Sequence, residues 1–325
     1  MVAALGIDVS QNELVSSLLV NGKISHRTFR NHSDEFAAIT KWLQKHRLDA
    51  VHVCLEATGS YWEGVALYLY QAQYKVSVVN PARIHAYGRS LLRRNKTDKQ
   101  DADLIANFCA AQNPVAWTPP APAQRELRDL VRLVEDLQNV LSQQTIRLKS
   151  GVRNPAVQQV LNEHIDYLKS QIAEVKQQIN QVVASDKKLA HDFELLISIP
   201  GVGEATATLF LAENIGGFRS VRALTAHAGL NPASYSSGTS IHRPPRLSKV
   251  GSATLRKALY FPALTAMRFN PCVMALAQRL QQRSKRPMVI VAAAMRKLLT
   301  LAFGVLKSGL PFAPDFATKR QLAAI

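Results

Sequence analysis

Short apolar runs at residues 3–8, 13–20 and 24–29 have the length of strands, and Asn21-Gly22 between the last two is a strong two-residue hairpin signal. The chain therefore opens as a meander. A helical pattern follows from about Asp34 to His46, then a strand at Ala50 to Leu55, a helix near Trp62 to Gln73, a strand at Lys75 to Val79 and more helix after Pro81. Three antiparallel strands followed by alternating helix and strand predict a mixed sheet covered by helices.

The stretch 113–123, NPVAWTPPAPA, is too proline-rich for helix and predicts a boundary or semi-rigid linker. Apolar positions then recur at Leu127, Leu130, Val134, Leu137, Val140/Leu141 and Leu148, and again, four and three apart, at Leu161, Ile165, Leu168, Ile172, Val175, Ile179 and Val182. That spacing is a coiled-coil seam, and Gly151 with Pro155 splits it into two helices, so a helical hairpin or an intermolecular coiled coil is expected. From Phe193 the pattern is mostly helical, with a loop expected from Asn231 to Lys249. Ser198-Ile199-Pro200-Gly201-Val202-Gly203 has the form of a helix-hairpin-helix turn, in which Gly201 and Gly203 would let backbone N–H groups approach a phosphate. The chain divides on this reading into residues 1–112, a linker 113–123, a coiled coil or helical hairpin 124–190, and a helical region 191–325.

Composition changes the picture through charge. Of 325 residues, 40 are Lys or Arg against 23 Asp or Glu, a net +17, and +12 of it falls after residue 190. No acidic residue occurs between Glu213 and Asp315, where fifteen Lys or Arg lie. A basic stretch without counter-charges predicts a polyanion partner, nucleic acid above all. Arg243, Arg246, Lys249, Arg256 and Lys257 are candidate contacts there, and Arg93, Arg94 and Lys96 form a second cluster. The 47% hydrophobic content excludes a disordered tail. No apolar run is read as long enough to cross a bilayer; the longest candidate, Met288 to Met295, is followed at once by Arg296 and Lys297. No secretory signal is evident, and three scattered cysteines (Cys54, Cys109, Cys272) fit a reducing compartment, so a soluble, cytoplasmic and nucleoid-associated protein without a membrane partner is expected.

Candidate chemistry lies first in carboxylates. Asp8 ends the first strand and Glu56 lies just past the fourth; a ribonuclease-H-like order would make those strands parallel neighbours and bring the two acids to one edge. Like charges that close repel unless a cation lies between them. Asp98 and Asp101 open a predicted helix three apart and share a face. Four such carboxylates form a hard-oxygen site for Mg²⁺ or Mn²⁺, and a metal pair can activate an attacking oxygen and stabilise the leaving oxygen of a phosphodiester. Plainer roles exist for each: Asp8 as a turn cap, Glu56 as a surface acid, Asp98 as a helix N-cap and Asp101 as a complement to the helix dipole. Asp103 is expected to point off their face.

The second constellation is the loop Ser234-Tyr235-Ser236-Ser237-Gly238-Thr239-Ser240, followed by Arg243 and Arg246. A serine beside glycine among arginines suits attack on a phosphate, with guanidinium groups stabilising the developing charge, although most Ser/Gly/Thr clusters are plain loops.

Gly6-Ile7-Asp8, Glu56-Ala57-Thr58-Gly59, Asn95-Lys96-Thr97-Asp98 with Asp101-Ala102, Ile199-Pro200-Gly201-Val202-Gly203, Ala228-Gly229-Leu230, Ser237-Gly238 and Arg246-Leu247-Ser248-Lys249, in this order from about residue 3 to 312, resemble the DEDD transposases of bacterial insertion sequences. This is the family numbered one hundred and ten, related to the Piv invertase and also called bridge-RNA-guided recombinases. The resemblance implies an N-terminal RuvC-like domain of ribonuclease-H-like fold, a coiled-coil middle and a C-terminal transposase domain. It implies metal-binding acids at Asp8, Glu56, Asp98 and Asp101, and a nucleophilic serine at Ser237, with Ser236 and Ser240 as neighbours in the same loop. It further implies donor and target DNA as substrates and an element-encoded guide (bridge) RNA; because the coiled coil separates the acids from the serine, a site assembled from different protomers of a dimer or tetramer is expected. The rivals are a RuvC-like hydrolytic resolvase and a non-catalytic nucleic-acid-binding protein.

Overall fold

The computed structural model describes residues 3–48, 50–57, 59–92, 97–237 and 241–314, without the side chains of 234–237 and 241–245. The chain forms two compact units that part between Pro119 and Pro120.

The first unit is a five-stranded sheet with helices. Strands β1 (Ala3–Val9), β2 (Glu13–Val20) and β3 (Lys23–Arg30) form the meander, turned at Asn21-Gly22, where both residues have positive φ. Helix α1 (Phe36–Lys45), strand β4 (Val51–Glu56), helix α2 (Glu63–Gln71), strand β5 (Lys75–Val79), and helices α3 (Pro81–Ser90) and α4 (Asp98–Gln112) follow. The sheet order is β3-β2-β1-β4-β5, with β4 parallel to both β1 and β5. One face buries Leu5, Ile7, Val53 and Leu55 against Ile39, Leu43, Val65 and Leu69 of α1 and α2. The other carries a transverse row of one residue per strand, His26, Ser17, Gly6, Cys54 and Ser77, in mutual register. Four of the five are small, and α4 lies over this row. A Cβ on Gly6 would collide with the backbone of α4 at Ala102 and Ala106, so only glycine permits this approach.

The proline-rich stretch does not behave as one linker. Its first half turns back onto β5: Trp117 N–H donates to the Val76 carbonyl at 2.7 Å, and the Ser77 hydroxyl donates to the carbonyls of Pro114 and Val115. Its end, Pro122-Ala123, is helix, because proline without an N–H suits the first helical position.

In the second unit α5 (Pro122–Lys149) and α6 (Pro155–Ser185) pack along each other within the chain. The apolar repeat of α6 is buried from Leu161 to Val182, whereas on α5 only Leu127 is fully buried. Helices α7 (Lys187–Ile197), α8 (Glu204–Ala212) and α9 (Val221–His227) follow, then strands β6 (Pro232–Ser237) and β7 (Ile241–Leu247), then α10 (Ala253–Phe269), α11 (Pro271–Gln282) and α12 (Pro287–Ser308). The antiparallel pair β6–β7 stands where a loop is expected from 231 to 249. Pro244 and Pro245 are tolerated there because each strand of a two-stranded sheet is an edge strand.

Helix α12 is longer and more apolar than the run from Met288 to Met295 indicates: by length and composition it is the one described helix that passes for a membrane span, with a mean hydropathy of 1.9. It is the core helix of this unit. Ile290, Val291, Ala294, Leu298, Leu299 and Ala302 are buried among α7, α9, α10 and α11, and Arg296 lies exposed at mid-helix.

Candidate active site and nucleic-acid interface

The register of β1 and β4 decides where the first two acids fall. Ile7 pairs with Leu55, so Asp8 and Glu56 stand next in line at the same ends of two parallel neighbours. Side chains alternate along a strand. Asp8 therefore shares the face of Gly6, and Glu56 that of Cys54, both beneath α4. Each acid is half-buried.

Helix α4 runs antiparallel to these strands. Its C-terminal Cys109 reaches the His52 carbonyl at 3.4 Å, near the start of β4, and Asn113 takes the Lys75 ammonium at 2.7 Å, at the start of β5. Its N-terminus thus lies towards the strand ends that carry Asp8 and Glu56. Thr97, not Asp98, caps the helix, its hydroxyl accepting the Gln100 N–H, so both Asp98 and Asp101 remain for another task. Asp101 precedes Leu104 and Phe108 on the flank that packs with Val79 and Ile84 on the β5 and α3 side. The opposite flank bears Asp103, which accepts the Ser17 hydroxyl at 2.6 Å and meets His26 Nε2 at 2.7 Å.

The register sets Asp8 and Glu56 side by side, and Asp98 and Asp101 lie in the first turn of the antiparallel α4. Among the described residues no three His, Cys, Asp or Glu side chains converge closely enough to hold a metal ion. The donor set itself, four carboxylates, is the oxygen chemistry Mg²⁺ and Mn²⁺ take.

Two buried thiols, one from β4 and one from α4, meet farther along the same interface. Cys54 and Cys109 meet at the row, and the shared hydrogen bond together with burial holds the Cys54 thiol well above the ordinary range. On the sheet's other face Trp62 and Trp117 meet edge to face at 5.6 Å.

In the second unit the expected phosphate turn is more closely packed than its sequence implies. Gly201 has φ +99°, and a side chain there would strike Ala266 of α10, while Asn270 donates to the Pro200 carbonyl at 3.2 Å. Gly201 thus serves helix packing. Gly203, at the start of α8, faces open space. Arg256 likewise turns inward, its guanidinium donating to the carbonyls of Ala228, Gly251 and Ser252. Lys257 is exposed and pairs with Glu135 at 3.6 Å; Arg246 and Lys249 are exposed. Arg93, Arg94 and Lys96 lie outside the described residues, as do the side chains of Ser237 and Arg243, whose backbones belong to β6 and β7.

A mixed sheet that lines up carboxylates at one end, in a chain whose second unit is strongly basic, has the composition of a polynucleotide-processing enzyme. Comparison with known proteins makes this specific. Residues 5–154 match a family described as Transposase, and residues 193–278 match the Transposase IS116/IS110/IS902 family. The pilin gene-inverting protein of Moraxella bovis is 34% identical over 95% of this chain and 97% of its own length, and that of Moraxella lacunata 33% over the same shares. A transposase for insertion sequence element IS1328 of Yersinia enterocolitica is 24% identical over 76% of this chain and 81% of its own. Among solved structures, T. thermophilus RuvC in complex with a Holliday junction substrate aligns over 36% of this chain and 99% of its own, at 15% identity and a TM-score of 0.28. The chain belongs to the IS116/IS110/IS902 transposase family.

Proposed function

We propose that this transposase is a site-specific DNA recombinase that cuts and rejoins donor and target DNA, with Asp8, Glu56, Asp98 and Asp101 as metal ligands and Ser237 as nucleophile. The observation that carries the reading is the register of β1 on β4 beneath an antiparallel α4, which supports one shared site for four acids contributed by three elements. When bound there, Mg²⁺ or Mn²⁺ supplies Lewis-acid stabilisation of the phosphodiester oxygens. The carboxylates orient it. The Ser237 hydroxyl oxygen forms a bond to phosphorus, the P–O bond to the departing strand breaks, the serine proton passes to solvent, and the departing oxygen is protonated in turn. The resulting phosphoserine keeps the energy of the broken bond for rejoining.

The names of the relatives speak of gene inversion and of transposition, and both are exchanges between two DNA sites. The family resemblance extends the proposal to a guide RNA that pairs with both DNAs, leaving the protein to read backbone and shape. It also extends it to a RuvC-like, ribonuclease-H-like fold for the first unit, and the separation of acids and serine along the chain favours a dimer or tetramer in which they come from different protomers.

The test is a denaturing gel of the protein with Mg²⁺, the element-encoded RNA and labelled donor DNA. A covalent protein–DNA adduct in wild type, lost in Ser237→Ala and Asp101→Ala, is expected. Metal-dependent cleavage that survives Ser237→Ala without an adduct would show hydrolysis by water instead.

A further inference from the structure

A groove of about 540 Å³ opens within the second unit, and four helices each give it one stripe. On α5 the stripe runs from Val131 through Val134 and Glu135 to Gln138; on α10 it runs from Thr254 through Lys257 and Ala258 to Phe261. Both have the i, i+3, i+4, i+7 spacing of one helix face. Ile179 and Asn180 of α6 and Leu209 of α8 complete the wall. The lining is rigid secondary structure, so the groove is formed before anything enters it, and its volume lies within the range of small-molecule sites.

Its chemistry is particular. The floor is aliphatic. Phe261 on the lining is 74% exposed, although a benzyl side chain left in water forgoes about 25 cal/mol for each Å² it fails to bury. Its ring is steadied edge to face by Tyr260 at 5.3 Å. Two carboxamides, Gln138 and Asn180, offer paired donors and acceptors. The charges in the lining balance, Lys176 and Lys257 against Glu135 and Glu204, so the groove does not attract a free phosphate.

An apolar floor, an open aromatic face, two amide edges and no net charge together fit a flat, neutral, polar-edged ring. We infer that this groove receives one unpaired nucleobase, stacked on Phe261 and read along its edge by Gln138 and Asn180. Unpaired bases are recognised by such stacking and edge hydrogen bonds, and a recombinase must hold bases that have left one pairing and not yet joined another. An amphipathic helix of a second copy fits less well, because nine polar side chains, three of them threonines, interrupt the apolar surface it would cover. The inference rests on the proposed function in one respect, that the protein holds nucleic acid.

The full-length protein would be titrated with two single-stranded DNA probes, a 20-mer of abasic residues carrying one 2-aminopurine at its centre and the same strand abasic throughout. The expected result is that Phe261→Ala binds the 2-aminopurine strand about tenfold more weakly and abolishes its fluorescence change, while wild type and variant bind the abasic strand alike. Because Phe261 is exposed the variant should melt as wild type does; Asn180→Ala, melted alongside, should weaken the same probe. Equal binding of both strands by wild type and Phe261→Ala overturns the pocket and leaves the recombinase reading standing. Wild type that binds neither strand overturns both. Self-association in sedimentation that Phe261→Ala abolishes would overturn the inference by assigning the groove to a second copy.

Discussion

Asp103 accepts a hydrogen bond from the Ser17 hydroxyl at 2.6 Å, and this contact joins the helix that carries Asp98 and Asp101 to the second strand. The serine is fully buried. Asp103→Ala would leave it without that acceptor and should cost about 1–3 kcal/mol in urea unfolding. The His26 contact adds little, since that side chain is 36% exposed and solvent screens it. Asp103→Asn, which keeps an acceptor for Ser17, should restore most of the stability. If Asp103 also positions the acids, the alanine variant will need more Mg²⁺ for half-maximal cleavage while the asparagine variant will not.

Gly6→Ala tests the same docking from the sheet side. The added methyl group meets backbone of α4, which cannot swing away as a side chain can. A stability loss of at least about 1–3 kcal/mol is expected by thermal unfolding, along with loss of strand cleavage as α4 is displaced.

Single-site neutralisation of the acids should separate chemistry from folding. Glu56→Gln and Asp101→Asn are expected to lower metal-dependent cleavage about 100-fold or more while unfolding within a few degrees of wild type. Chelation of divalent ions should do the same to wild type, and re-addition of Mg²⁺ should reverse it.

Two neighbouring cations should behave differently. Arg246→Ala, at an exposed position, should reduce the slope of log affinity against log salt by about one and leave the melting temperature unchanged. Arg256→Ala removes three hydrogen bonds to backbone carbonyls and should destabilise the protein by about 1–3 kcal/mol.

The thiols offer a check on packing. Cys54 and Cys109 are 0% and 1% exposed, whereas Cys272 is partly accessible. Mass spectrometry after brief iodoacetamide treatment should find one adduct on the native chain, at Cys272, and three after denaturation. Rapid labelling of Cys109 in the native protein would contradict the docked α4.

Elements with strong local signals were readable from the chain alone. Lys75–Val79 and Glu13–Val20 are strands because apolar and β-branched residues are bounded by turn residues, and α4 begins at Asp98 because Thr97 caps it. The pair β6–β7 was hidden, since Ser, Gly and Pro show no alternation and each strand's order depends on its partner. Long-range relationships were hidden too. Asp103 leaves the face of Asp98 and Asp101, as helical spacing requires, but its bond to Ser17 depends on how α4 crosses the sheet. The glycine at 201 shows its packing constraint only when Ala266, sixty-five positions later, is seen against it. Cys54 and Cys109 look scattered along the sequence and meet only when the helix docks.

The place of α4 in the chain also bears on synthesis. A ribosome releases Asp8 and then Glu56 well before the segment from Asp98 to Gln112, and β1 and β4 cannot acquire their covering helix until that segment is free. A nascent chain therefore carries two of the four proposed metal ligands before the other two have been made. On the proposed mechanism, a polypeptide arrested before α4 lacks two of its four metal ligands and should be unable to cut DNA.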